Sequence, residues 1–334
     1  MESRRDDHLL RLGASGAALV VHYRTRFTAA RGGAPIAVTG PARSGAGGIA
    51  VIGVNYGTDD MALRFVQSAA ALQPSLTATV LVDNSEGPQE RAIGQRLRAE
   101  GAGVLYVRAP RNLGYFCGAD YGLRQYVAVH GEPDWVVVSN VDIRFDDPCC
   151  LNRLQDFHAA DDVGVVAPSI WSRRSRRDLN PRMRQRPGAA AMHMYKIVFG
   201  TWATLNAYEL LAAAKHATKY LLKHYILDPL RQGPSDGAAR RIPPLESIYA
   251  PQGSCVIFSN RFFERGGSLV YPSFLFGEEI YVAETARHLG LRVIYHPGIR
   301  VSHDDHSSTG LVRSRRVARL VKASARYIAD RYFR

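Results

Sequence analysis

Cysteine, acidic residues and long apolar runs are all in short supply in this chain, and each shortage excludes something. Only four cysteines occur in 334 residues, Cys149 and Cys150 adjacent and Cys117 and Cys255 isolated. That spacing gives neither a disulfide framework nor a zinc site, and a reducing cytosol suits it best. Nowhere do 18 or more apolar residues run uninterrupted, so no transmembrane helix is expected. The apolar stretch from Ala14 to Val21 is short and lacks a cleavage site, so no secretion signal is expected there. Acidic residues number 30 against 43 lysines and arginines, a net charge of +13. The basic residues gather at the N-terminus, at 173 to 186, at 239 to 241 and after residue 312. Such patches suit an anionic partner: nucleic acid, an acidic membrane leaflet or a phosphorylated substrate. No nucleic-acid-binding module is recognisable, so nucleic acid is not expected. The chain is expected in the cytoplasm, with peripheral contact to an anionic membrane face left open.

With 46% hydrophobic and 22% charged residues, there is material for one large α/β domain with additions. Residues 1 to about 47 are rich in Gly, Ala, Ser, Pro and Arg and end in SGAGG, which predicts a flexible leader. From Gly48 the character changes. IAVIGVNY is a nearly continuous β-branched apolar run, as expected of a strand buried on both faces. Thr58, Asp59 and Asp60 supply capping oxygens, and Ala62, Phe65, Val66, Ala69 and Leu72 share one helical face. The alternation continues through strand TATVLVDN, a helix from about Pro88 to Ala99, strand GVLYVRA, a helix from about Gly118 to Val129, and strand DWVVVSN. It predicts a doubly wound, mostly parallel sheet. Ligands of such sheets bind at the carboxyl ends of the strands. The polar residues there are Asn55 and Tyr56, then Asp83, Asn84 and Ser85, then Arg111 and Asn112, then Asn140 and Asp142.

After VGVVAPS an arginine-rich stretch leads into a helix-forming insertion, about 183 to 245, with its apolar part from about Met192 to Leu230. Tyr195, Phe199, Trp202, Tyr220, Leu221 and Leu222 lie among Lys215, Lys219, Lys223 and His224, a mixture that fits either an interfacial amphipathic helix or a helical pair packed on the core. The chain then returns with YAPQGSCVIFS, a helix near Arg261, SFLFGEEIYVAETARHLG and the paired runs LRVIYHP and IRVSH. A basic helix from about Val312 completes it, giving a domain at 48–310 and a terminal helix at 311–334.

The chemistry-bearing candidates are carboxylates at chain turns. Asp142, in VVVSNVDIRF, follows a buried strand, where a carboxylate is a suitable cation ligand. Glu278 and Glu279 open a predicted helix, whose dipole favours their anionic form. The glycines of RNLGYFCGADYGL do not form the dinucleotide fingerprint, because the spacing is wrong and they follow the third strand.

Together these segments resemble the family 2 glycosyltransferases, particularly the bacterial rhamnosyltransferase-like branch that builds surface polysaccharides, over about residues 49 to 306. The resemblance implies the GT-A fold, with a helical insertion and a C-terminal helix. VNYG matches the family's Asn-Tyr pair, which implies nucleotide-sugar contacts for Asn55 and Tyr56, and VDNSEG implies a base or ribose contact for Asp83. RNLGYFCG matches its Asn-x-Gly-Tyr element, where Asn112 and Gly114 would let the backbone approach the donor. SNVDIRF matches Asn-x-Asp, with Asp142 as metal ligand and Asn140 as a polar contact. YAPQGS resembles a loop near donor and acceptor sugars, which includes Gly253. There the family often carries His at the position of Gln252. GEEIYVAETARHLG is similar to the family's acidic pair, which implies Glu279 as catalytic base beside Glu278; Tyr281 and Thr285 depart from the usual Asp and Arg. His303, in IRVSHDDH, matches a histidine that reaches the metal or diphosphate, and His306 carries little of the resemblance.

The resemblance therefore implies an inverting, hexosyl-type transferase that uses a dTDP- or UDP-sugar donor and a divalent cation, Mg2+ or Mn2+. Its acceptor would be a glycan or lipid-diphosphate-linked acceptor. The rival expectation is a catalytically silent scaffold of the same fold in a polysaccharide assembly complex. Nothing in the sequence sets the oligomeric state.

Overall fold

The computed structural model describes residues 48–73, 77–87, 92–99, 103–157, 160–221, 244–304 and 314–334. The expected leader, residues 222–243 with the basic cluster at 239 to 241, and His306 lie outside the described residues. So do the start of the expected helix at Pro88, the boundary at 310 and the side chains of Lys215, Lys219, Tyr220 and Leu221.

The first strand, β1 (Ile49–Asn55), is buried at every position. Its side chains alternate, Ala50, Ile52 and Val54 entering one core and Ile49 and Val51 the other. Both faces of the sheet are therefore covered, which is why the strand reads as an unbroken apolar run. β2 (Thr77–Asp83), β3 (Val104–Arg108) and β4 (Trp135–Asn140) join it in the order β3-β2-β1-β4, all parallel. The helices between them are α1 (Asp59–Ala70), α2 (Ala92–Ala99) and α3 (Tyr115–His130). α3 starts at Tyr115, ahead of the expected Gly118, because the amide of Gly118 already donates to Gly114 O at 3.1 Å within its first turn.

Beyond β4 come β5 (Ile143–Arg144), a 3-10 helix at Cys150–Phe157, β6 (Val163–Ser172) and β7 (Arg177–Asp178). β8 (Glu246–Ile248), β9 (Cys255–Ser259) and β10 (Arg292–His303) follow the insertion. The path through the sheet is β3-β2-β1-β4-β9-β6-β10-β5, with β7 on β6 and β8 on β10. Parallel winding holds for the first four strands and for β6 with β10, whereas β9 runs antiparallel to both β4 and β6. The reason is where β9 begins: Asn140, at the end of β4, donates its amide to Ser254 O at 2.9 Å, so the chain enters β9 at the carboxyl end of β4 and must run back. The two apolar runs at the end of the domain are a single strand, β10, with a register shift between His296 and Arg300.

Among the described residues the insertion contains two helices, α4 (Ala189–Val198) and α5 (Trp202–Leu221). Thr201 accepts the amide of Thr204 at 3.2 Å at the start of α5. Tyr195 stacks on Phe199 at 5.4 Å and both meet Tyr208, so these aromatics form a cluster between the two helices. Next come α6 (Asn260–Glu264), α7 (Glu278–His288) and α8 (Arg315–Tyr332), the last capped by Ser314. Side chains of α3, α7 and α8 fill one face of the sheet, and those of α1, α2 and the 3-10 helix fill the other.

A buried carboxylate joins the additions to the domain. Glu284 on α7 is 1% exposed and accepts from Arg186 Nε at 2.7 Å, Tyr249 OH at 2.7 Å and Arg287 Nη2 at 2.9 Å. Arg186 also donates to Tyr332 O at 2.7 Å and lies 4.2 Å over the Phe333 ring, so one side chain links the insertion, α7 and the end of α8. Burial opposes the Glu284 charge, but the Arg186, Tyr249 and Arg287 hydrogen bonds outweigh it and hold the carboxyl below its ordinary value. Its contribution to stability is therefore present above the unfolded carboxyl range and lost as pH falls through the lower folded value. Glu284→Gln should cost about 2 kcal/mol near neutral pH, because Arg186 is partly solvated and keeps some compensation, and the difference should shrink in acid. Urea unfolding at several pH values measures this; a pH-independent difference would rule out the ion-pair origin.

Candidate active site

The loops at the carboxyl ends of β1, β2 and β4 meet those before α3, β9 and α7, and most of the sequence candidates lie there. Asn55 is fully buried and committed locally: Nδ2 donates to Asp59 Oδ1 at 3.1 Å, and Oδ1 accepts Thr58 N at 3.2 Å and Thr58 Oγ1 at 2.8 Å. It braces the turn into α1 and aims its neighbour, Tyr56, outward at 49% exposure. Asp83 is 0% exposed, with Oδ1 accepting Ser85 N at 3.0 Å, Oδ2 accepting Tyr106 OH at 2.8 Å and Arg108 Nη1 3.7 Å away. In this conformation its carboxylate faces the protein.

The Asn-Leu-Gly element is held from two sides. Asn84 Nδ2 donates to Gly114 O at 2.7 Å, and Asn112 Oδ1 accepts the Gly114 amide at 3.0 Å. Gly114 has φ +83, and a Cβ there would lie 2.4 Å from Phe274 O, so only glycine fits. The same Phe274 begins the loop into α7. Phe276 and Gly277 are both left-handed, at φ 72 and φ 80. For Phe276 that conformation is costly and needs external support. Tyr271 OH donates to Phe276 O at 2.7 Å, Ser324 of α8 donates to the same oxygen, and the Phe276 amide donates to Glu278 Oε1 at 2.9 Å.

This turn splits the acidic pair. Glu278 is 7% exposed, and burial, then the charge of Glu279, pushes its carboxyl up to about 8. Glu279 is half-buried, and among the described residues its carboxylate accepts no hydrogen bond. A Cβ placed on Gly253 would lie 3.4 Å from Glu279 Oε1, so the glycine loop passes directly beside that carboxylate. The pair thus divides into a proton-retaining member and an uncommitted one, the arrangement a general base requires.

Asp142 and His303 meet because β5 pairs antiparallel with the end of β10, Ile143 opposite His303. His303 Nε2 is 3.2 Å from Asp142 Oδ2, while Asp142 Oδ1 is buried with no hydrogen-bond partner among the described residues. An orphaned carboxylate oxygen beside an imidazole fits a divalent cation whose other ligands are phosphate oxygens and water. Among the described residues no group of three or more His, Cys, Asp or Glu could enclose a cation, so these two would be the protein's share.

Three residues were passed over in the sequence. Tyr115 OH is 3.5 Å from Ser254 O, and burial first, then Cys255 and the carboxyls of Glu278, Asp142 and Glu279, pushes its phenol well above the ordinary value. Tyr115 is therefore within electrostatic reach of both acidic centres. Arg144 and Asp304 pair at 3.3 Å behind Asp142 and His303, and the Asp304 amide donates to Asp142 O at 2.8 Å. The signals were present, Tyr115 inside the Asn-Leu-Gly-Tyr element and Arg144 and Asp304 beside named candidates, but neither distance is local in sequence.

The family model for glycosyl transferase family 2 matches residues 50–221, more than half of the chain. The chain belongs to glycosyl transferase family 2. The matched span contains Asn55, Tyr56, Asp83, Asn112, Gly114, Asn140 and Asp142, whereas Gly253, Glu278, Glu279 and His303 lie beyond it. No curated protein matches the sequence. Among solved structures, the chain is similar to GalNAc-T7 with UDP, GalNAc and Mn2+ at 13% identity and TM-score 0.48, covering 78% of this chain and 44% of that one. It is similar to the mannosyltransferase PcManGT from Pyrobaculum calidifontis in complex with GDP-Man and Mn2+ at 13% identity and TM-score 0.47, covering 87% and 65%. S. aureus TarS follows at 11% identity and TM-score 0.45, covering 78% and 37%. The chain spans less than two thirds of the length of each of these.

For this family 2 chain, the raised Glu278 carboxyl has a measurable consequence. A raised folded value means that stability is fully present below the unfolded carboxyl range and lost as pH rises through about 8. Glu278→Gln keeps an acceptor for the Phe276 amide and cannot ionise. The melting temperature of the natural protein should therefore fall relative to that variant between about pH 5 and about pH 8, then level off. Parallel curves across that range would reject the burial of a protonated Glu278.

Proposed function

We propose that the chain is an inverting hexosyltransferase that moves a sugar from a nucleotide-diphosphate donor to a glycan or lipid-diphosphate-linked acceptor, in bacterial surface-polysaccharide synthesis. The observation that carries this reading is the convergence, at one mouth of the sheet, of an uncommitted Glu279 beside Gly253 with the Asp142–His303 pair and its orphaned oxygen. Family membership supports the donor class. The rhamnosyl branch, with dTDP-rhamnose or a UDP-sugar as donor, extends the motif resemblance, and the donor screen below tests it.

Glu279 takes the proton of an acceptor hydroxyl as that oxygen bonds to the anomeric carbon, and the bond to the diphosphate breaks on the opposite face. Glu278, whose carboxyl burial pushes up to about 8, holds a proton beside Glu279 and leaves Glu279 to act as the base. Asp142 and His303 would hold Mg2+ or Mn2+, which when bound supplies positive charge against the departing diphosphate. Tyr56, Asn112, Gly114 and Asn140 line the donor side, and Asn55 and Asp83 shape it from behind. Work at a cytoplasmic membrane face would bring a lipid-linked acceptor to the site. By this reading the transferase domain occupies 48–310, between a leader at 1–47 and the terminal helix at 311–334.

Glu279→Gln should lower turnover by about 10²- to 10⁴-fold while leaving donor binding intact, measured by transfer assay and by donor titration. Unchanged turnover would remove Glu279 from the mechanism. Thermal-shift screening against UDP-, dTDP-, GDP- and CMP-sugars should give a shift with one nucleotide class that grows with Mn2+. Asp142→Asn should lose the metal-dependent part alone; a full shift in that variant would place the cation elsewhere.

A further inference from the structure

Helices α4 and α5 expose large apolar side chains. From Trp202 to Ala214 the one charged side chain of α5 is Glu209, which is half-buried. Leu210 and Leu211 are 46% and 71% exposed, and on neighbouring α4 Met194 and Ile197 are 50% and 76% exposed. Exposed apolar side chains gathered in this way mark an interaction surface. A second copy of this chain and a bilayer are both candidate occupants, and charge chooses between them. α8 packs directly against both α4 and α5. Along it Arg315, Arg316, Arg319 and Lys322 are exposed, and among the described residues none pairs with a carboxylate. On a chain of net charge +13, a second copy would bring like charges together, whereas an anionic leaflet complements both the cations and the apolar side chains.

We propose that α4, α5 and α8 form one docking surface for an anionic phospholipid bilayer. Ile197, Leu210 and Leu211 enter the boundary between headgroups and acyl chains, and the α8 cations lie on the lipid phosphates. No helix of the described residues is long and apolar enough to cross a membrane, so the contact is peripheral. The inference rests on the reading of a membrane-carried acceptor and names the face that meets it.

The test is flotation of the full chain with vesicles of phosphatidylglycerol and phosphatidylcholine, against phosphatidylcholine alone. The natural protein should bind the anionic vesicles and release as salt is raised. The double variants Ile197→Gln with Leu211→Gln, and Arg319→Glu with Lys322→Glu, should each bind at least tenfold more weakly, with unchanged melting temperature and donor-induced shift. Absence of binding by the natural protein, or loss in the charge variant alone, would overturn the proposal. So would a dimer in solution that the Ile197→Gln and Leu211→Gln pair dissolves. Vesicle binding is read without turnover, so failure of the Glu279 mechanism and failure of this surface give different results.

Discussion

Gly114 and the carbonyl of Phe274 approach so closely that no side chain can stand between them, and the candidate site is organised around that contact. On one side of it, Asn84 at the end of β2 holds Gly114 O; on the other, the chain runs two residues to the left-handed turn that aims Glu278 and Glu279. From Glu279 the contacts continue to Gly253, from Ser254 to the end of β4 at Asn140, and from there to Asp142 and His303. A side chain at position 114 would push the loop before α3 away from the loop before α7, separating the Asn112–Gly114 element from the acidic pair.

The turn at Phe276 explains why the C-terminal helix matters to a site it does not enter. A left-handed phenylalanine persists only where surrounding groups over-determine it. Here Tyr271 and Ser324 both donate to its carbonyl, and Ser324 belongs to α8. Glu284, one helix turn and more along α7, then binds the insertion and the end of α8 through Arg186. The same helix that presents the acidic pair is thus anchored by a buried carboxylate with three hydrogen-bond donors, and rigid presentation of the pair follows from that anchoring.

Electrostatics divides labour among the acids. Glu278 is enclosed and its carboxyl is pushed up to about 8, while among the described residues Glu279 accepts no hydrogen bond and Asp142 shares one oxygen with His303 and leaves the other unpaired. Burial, and then the nearby carboxyls, make the Tyr115 phenol hard to ionise and suit it to donating a hydrogen bond. The family match covers Asp142, whereas Glu278, Glu279 and His303 lie beyond it.

The strand–helix alternation, the burial of β1 on both faces and the polar strand ends were legible in the sequence, because hydrophobic period and capping chemistry act within a few residues. So were the glycine of the Asn-Leu-Gly element and the placement of the glutamates at a helix start. Nothing local shows that Asp83 is enclosed by Tyr106 and Arg108, or that Glu278 is the buried member of its pair. Nor does it show that β9 runs backwards between β4 and β6, or that a two-residue strand brings Asp142 to His303. Those outcomes depend on which distant segments pair and in which direction, a competition between whole strands and loops that the tertiary structure alone resolves.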